Sequence, residues 1–281
     1  MSFVAKRKRV ISVAGKELDL GVYRLSDWLQ PDCYAVSKLL IDKVMEKWTS
    51  LGGEAQAQAI KTVGFGNALV KLAWNLVNTG VRYRYDEDLF NQADFWMMPS
   101  ECYTMGFGDC EDSSFLLAST VLRLFEIVGD FQQSWWNRWF NRDAPNCQVW
   151  LGFVYQGGQY WGHAWVCFRN PKYQFSKDWL VLESTFEDEV PMNLWIVWTK
   201  DIYIPVYMFN QYDSWRIDRD YAQLGLSQEY VEKYRGLIES MVNYVESGVR
   251  MREKWVHKKI RPVKPGFRVV RNRKWEGGEK K

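Results

Sequence analysis

At 281 residues, 47% hydrophobic and 16% aromatic, the chain has the composition of a globular protein with a sizeable core, not of a disordered or low-complexity one. No apolar run reaches the roughly 18 residues that a bilayer span needs, and the basic start MSFVAKRKRV leads into no long apolar segment, so neither a membrane anchor nor a secretory signal is expected. The net charge of +3 hides an asymmetry: positions 248–281 carry 13 Lys and Arg against 3 Glu, which leaves 24 basic against 31 acidic residues before them.

In chain order, residues 1–33 read as an N-terminal extension with a basic patch (Lys6 to Arg9) and β-branched stretches, packed loosely or at an edge. Helical periodicity begins at YAVSKLLIDKVMEKW, where Val36, Leu39, Leu40, Val44 and Trp48 share a face. Gly52-Gly53 reads as a break, and NALVKLAWNLVNTG carries a second stripe of Leu69, Leu72, Ala73 and Leu76 that ends near Gly80. Irregular chain follows to Glu101. From Cys110 to Val128 apolar residues occupy nearly every face, the pattern of a helix buried on most sides. Three strand-like runs come next, at 147–155, 159–168 and 178–184, the first two joined across Gly157-Gly158, a hairpin signal. WIVWTKDIYIPVYMF supplies one or two more, with Pro205 favouring an edge. A long helical pattern from Leu226 and a basic tail close the chain. Helices, one buried helix, an antiparallel sheet and a final helix make an α+β arrangement. The expected division is 1–33 extension, 34–210 catalytic domain, 211–260 helical segment and 261–281 basic tail.

Histidine discriminates most sharply, because there are only two. His257 sits among Arg252, Lys254, Lys258 and Lys259, a solvated face. His163 lies mid-strand in YWGHAWVCF between Gly162 and Ala164, small residues that leave room for an approaching group. A packed strand histidine is the alternative, unless a partner is in reach. GFGDCEDSSFLLAST supplies one. Asp109 is expected to cap the buried helix with Asp112 three residues on, so that Cys110 falls in the first turn. There the helix dipole and a neighbouring imidazolium lower a thiol pKa, provided the flanking acids point away from the sulfur. Gly106 and Gly108 allow the tight approach of chain and substrate. In WLVLESTFE, Glu183 ends an apolar strand and is a candidate to orient the imidazole.

GFGDCEDSSFLLASTVLR, YWGHAWVCF and WLVLESTF resemble the three catalytic blocks of the transglutaminase-like superfamily of cysteine enzymes, over about residues 65–190. The resemblance implies a papain-type α+β core in which a central buried helix carrying the cysteine packs on an antiparallel sheet carrying the histidine and an acidic residue. It implies Cys110 as nucleophile, His163 as base and Glu183 as the third member. Glu stands where the family has Asp, so Glu187 or Asp188 could take that role. The Cys110 backbone N–H is a natural oxyanion donor, with Trp96 or Gln92 as a second; packing is the alternative for both. Gly108, Asp109, Gly162 and Trp165 are the cleft candidates.

The implied reaction is amide acyl transfer through a thioester, with hydrolysis of a peptide or other amide bond in front and transamidation by a primary amine as the alternative. A silent binding or structural module is the third reading. No metal or cofactor is called for; a zinc set of Cys102, Cys110, His163 and Cys167 lacks CxxC pairing. Five scattered cysteines fit reduced thiols and a cytoplasmic setting. A protein or peptide substrate is implied, and the basic tail could meet nucleic acid or another anionic partner, a solvated terminus being the alternative. The Trp-rich stretch 131–146 has no assigned role.

Overall fold

The computed structural model describes residues 6–13, 16–90, 95–128, 146–169, 179–186, 188–247 and 269–271. The N-terminal segment forms its own antiparallel hairpin, Lys6–Val13 (β1) with Lys16–Arg24 (β2). A 3-10 turn, Leu25–Trp28, then buries Leu25 and Trp28 completely.

The helix expected from Tyr34 is present as a π-helical turn, Ala35–Leu40, that runs into α1, Ile41–Ser50. Val36, Leu40, Val44 and Trp48 are buried, but Leu39 is exposed, because a π turn holds more residues than an α turn and rotates it out of the stripe. Gly52-Gly53 is a corner and not a break. Gly52 turns the chain at φ 77°, and α2, Gly52–Val63, follows with only Ala59 and Val63 buried. So thin an apolar stripe carries little periodic signal. α3, Phe65–Gly80, buries Leu69, Leu72 and Ala73 as expected and leaves Leu76 half-buried. The stretch read as irregular holds a two-residue strand, Arg82–Tyr83 (β3), and two short helices, Asp86–Phe90 (α4) and Pro99–Met105 (α5). Gly106, at φ 64°, closes α5, and β4, Phe107–Gly108, pairs in parallel with β3.

α6, Cys110–Val128, is the buried helix, with Phe115, Leu117, Ala118 and Val121 fully enclosed. It packs on α3 and on β5, Asn146–Gln156, and β6, Gln159–Arg169. The β5–β6 turn is the predicted one, Gly157 and Gly158 both having positive φ. The sheet continues with β7, Leu180–Leu182, β8, Leu194–Val197, β9, Tyr203–Phe209, and β10, Ser214–Arg216. With β11, Val269–Arg271, the order is β10-β9-β5-β6-β7-β8-β11, antiparallel throughout. The chain is therefore a mixed α+β structure on an antiparallel sheet.

Pro205 does not mark an edge strand, since β9 lies between β5 and β10. It sits opposite Gly152 where the β5–β9 register shifts, beyond the stretch that β10 covers, so no ladder partner is denied an N–H. A Cβ on Gly152 would lie 2.0 Å from the Ile204 carbonyl oxygen, so only glycine fits this position, directly across from His163. A short helix, Ile217–Asp220 (α7), precedes the C-terminal helical pattern, which divides into α8, Gln228–Lys233, capped by Ser227, and α9, Arg235–Ser247. The stretch 131–146, apart from Asn146, and the tail, apart from β11, lie outside the described residues.

Candidate active site

Asp109 stands at the N-cap of α6, and half of the expected box forms: Asp112 Oδ2 accepts the Asp109 backbone N–H at 3.2 Å. The other half does not. Asp112 turns its second oxygen to the Met97 N–H, 2.7 Å, while Asp109 Oδ1 is buried with no hydrogen-bond partner. The Asp109 carbonyl is held by the Ser113 hydroxyl at 2.7 Å. Gly108 is needed for close packing, because a Cβ there would sit 2.8 Å from Asp112 Cβ and 3.3 Å from Cys102 Sγ.

Cys110 opens α6 with its sulfur against β6, where the Ala164 backbone N–H reaches it. The condition for an acidic thiol is not met, however. The thiol donates to Glu111 Oε2 at 3.2 Å, so one flanking acid points at the sulfur. Burial first, then the charges of Glu111 and Asp109, push the Cys110 pKa well up, and the Ala164 N–H only partly opposes them. The same congestion acts on the acids. Burial, and then the Asp86, Glu111 and Asp112 charges, raise Asp109; burial, Asp86 and Glu111 raise Asp112 against the N–H groups of Met97 and Asp109.

At the other end the predicted partners meet. Glu183 lies just beyond β7, and its Oε2 is 2.9 Å from His163 Nε2, both side chains being almost fully buried. Oε1 accepts the Thr185 hydroxyl at 2.9 Å and its N–H at 3.3 Å, and Oε2 accepts the Tyr203 hydroxyl at 3.3 Å. Burial alone would raise the Glu183 pKa, but the His163 charge and hydrogen bond, with the Thr185 donors, bring it below the ordinary value. His163 Nδ1 is left buried and without a partner. Asp188 is exposed and Glu187 lies outside the described residues.

The remaining candidates divide. Trp165 is fully buried beneath the imidazole, ring centroids 6.0 Å apart, so it is a floor and not a cleft wall. Gly162 is half-buried on β6. Trp96 packs in the core against Trp28 and Phe115 at 5.3 and 5.4 Å, and Gln92 lies outside the described residues. Tyr83 was missed: it pairs with Gly108, and its pKa is driven up by burial and then by the charges of Cys110, Asp109 and Glu111. Tyr203 was missed because nothing local in sequence connects it to the site, and Thr185 and the Ser113–Ser184–Ser114 hydroxyl chain, 3.0 Å at each step, because neighbours of Glu183 and Cys110 in sequence carry no signal of which way their hydroxyls turn.

Cys102, Cys110, His163 and Cys167 are not gathered into one ligand set among the described residues. Two other groups are: Asp109, Cys110 and Glu111, and Asp86, Asp109 and Asp112, with the ligand atoms of each within 4.8 Å of one another. Their oxygens are of the kind a hard divalent cation prefers.

No protein-family model matches the chain, and no curated protein does. Solved structures of Legionella pneumophila LapG are similar to it at 18% identity, covering 72% of this chain and 97% of that one with a TM-score of 0.37. The EGTA-treated form covers the same shares at 0.38, and the calcium-bound form covers 72% and 98% at 0.36. So distant a likeness says nothing about individual residues. Among the described residues no helix is long and apolar enough to cross a membrane.

Proposed function

We propose that this chain is a thiol-dependent acyl-transfer enzyme that hydrolyses a peptide or other amide bond, with Cys110 as nucleophile, His163 as proton carrier and Glu183 as the carboxylate that orients it. One observation carries the reading: the imidazole gives Nε2 to a fully satisfied buried carboxylate and keeps Nδ1 buried and unpaired, one residue from the N–H that reaches the Cys110 sulfur. A buried polar atom left open is rare in a merely packed histidine.

In the proposed reaction the Cys110 proton passes to His163 Nδ1 as sulfur attacks the carbonyl carbon. The Cys110 backbone N–H, in the first turn of α6, faces the developing oxyanion. Collapse of the adduct breaks the carbon–nitrogen bond, with His163 returning its proton to the amine. Water, deprotonated by His163, then releases the acid from the thioester. Because the thiol is held neutral against Glu111, the proton leaves it only when that carboxylate moves or is neutralised. A divalent cation on Asp109 and Glu111 would supply that neutralisation, and the unpartnered Asp109 Oδ1 is an oxygen already suited to it. The five free thiols fit a reducing compartment, the cytoplasm.

The test is alkylation of the five cysteines from pH 5 to 9, read peptide by peptide, on wild type and His163→Ala, together with the acyl-enzyme burst from a p-nitrophenyl ester. The Cys110 profile should change on losing His163 while the other four stay put, and the burst should vanish in Cys110→Ala. A Cys110 profile indifferent to His163 would sink the reading.

A further inference from the structure

The middle of α3 is apolar in pattern, yet it buries Lys71, Trp74 and Asn78 along one face. Lysine and asparagine are seldom fully enclosed without a purpose that holds them. The spacing of three and then four residues puts all of them on the same side of the helix. There Trp74 and Asn78 meet the chain just after β7, the segment that carries Glu183, and Lys71 meets the start of β8.

Trp74 Nε1 donates to the Glu183 backbone carbonyl at 2.7 Å. In the amide orientation that satisfies both of its polar atoms, Asn78 donates to the same carbonyl at 3.2 Å and accepts from Trp74 Nε1 at 3.1 Å. Trp74 also stacks on Phe186, centroids 6.4 Å apart at 26°, so its ring grips the segment on the far side of Glu183 as well. Behind it, Lys71 Nζ lies 4.1 Å from the Trp74 ring and 4.1 Å from the Trp195 ring, and it donates to the Leu194 carbonyl. Burial pushes the Lys71 pKa well below its ordinary value, and the amine, wedged between two indole faces and bonded to the Leu194 carbonyl, fixes both rings by its position. The arrangement therefore ties β8, through Lys71, to the main chain of Glu183, through Trp74.

We propose that Trp74, braced by Lys71, is a positioning residue for the Glu183–His163 pair. The side chain of Glu183 is held by His163, Thr185 and Tyr203, but its backbone is not part of a strand at this point. Thr185 belongs to the same short segment, so a slip of the backbone moves both the carboxylate and two of its donors. The Trp74 bond opposes that slip at Glu183 itself, beside the Asn78 amide on the same carbonyl and the Ser113 and Ser114 hydroxyls on Ser184. With it in place, the carboxylate keeps the proton of the imidazole on Nε2 and leaves Nδ1 open, which is the tautomer that the acyl-transfer reading requires. The proposal deepens that reading and rests on it for its kinetic consequence only.

The experiment uses the full chain in three forms: wild type, Trp74→Phe, which keeps a ring and removes the N–H, and Lys71→Met, which keeps the indole and removes the amine. Because there are two histidines, a His257→Asn background assigns the ring N–H proton resonance of His163 without ambiguity. Wild type should show a downfield, hydrogen-bonded Nε2–H signal. Trp74→Phe should fold, lose or shift that signal, and slow the His163-dependent alkylation of Cys110 roughly tenfold, the scale on which partners of a first contact layer act. Lys71→Met should shift the signal in the same direction by less, and it decides the matter should Trp74→Phe not fold. An unchanged His163 signal in whichever of the two variants folds would overturn the proposal. If instead the signal responds as expected while wild-type Cys110 is indifferent to His163→Ala, the positioning role stands and the acyl-transfer reading falls.

Discussion

The two ends of the candidate site are built in opposite ways. Around Glu183 each carboxylate oxygen is matched by donors from His163, Thr185 and Tyr203, and burial is offset by partners. Around Cys110 four acids crowd together, Asp109 Oδ1 is left with no partner, and the thiol donates a hydrogen bond to a carboxylate that opposes its ionisation. Satisfied buried groups hold a geometry; congested ones store a bias that a ligand or a substrate can release. The histidine end is thus preorganised, and the cysteine end is poised in a neutral form.

The largest test of that contrast is Glu183→Ala. Removing one member of a buried, hydrogen-bonded pair should lower stability by about 3–5 kcal/mol in denaturant unfolding. A loss below about 1 kcal/mol, the scale of exposed pairs, would mean that the histidine end is not preorganised. The cysteine end should respond to a cation instead. Calcium at a hundredfold excess over its Kd would raise stability by about 2.7 kcal/mol, chelation would reverse this, and Asp109→Asn would abolish it. A melting temperature indifferent to calcium and to chelator would leave the acids without that role.

Glu111→Gln sharpens the comparison at the sulfur. With the facing charge gone, Cys110 should alkylate roughly tenfold faster near neutral pH, its profile moving to lower pH, since one pKa unit is a tenfold change in thiolate. A slower reaction would show that Glu111 assists the thiol.

The smallest effect is the pH dependence of stability, and its sign differs between the ends. Asp109 and Asp112 have raised pKa values in the folded chain, so their contribution is complete below about pH 3.9 and is lost as pH rises through the raised values. Glu183 is lowered, so its contribution is present above about pH 4.3 and is lost as pH falls through its folded value. Melting from mildly acidic to neutral pH should therefore fall more steeply in wild type than in Asp109→Asn, and parallel curves would count against the acidic cluster.

By itself the sequence determined the elements whose signals are local and periodic. The all-round apolar pattern of Cys110 to Val128, the two strands around Gly157-Gly158 and the N-terminal placement of Cys110 are all present as read. It also singled out His163 and Glu183, because a lone strand histidine and an acid ending an apolar strand are conspicuous against their neighbours. Tertiary structure alone decided the rest. A weakly amphipathic helix such as α2 is stabilised by packing that leaves little trace in periodicity, and Pro205 is tolerated in an inner strand because a bulge across from Gly152 spares its missing N–H. Whether Glu111 faces the sulfur or the solvent is a single rotamer choice at the start of α6, set by what packs around it. Trp74 and Lys71 look like stripe and surface of an ordinary helix until β8 and the Glu183 segment close over them. Contacts across more than 100 positions depend on which faces meet, and no local pattern encodes that.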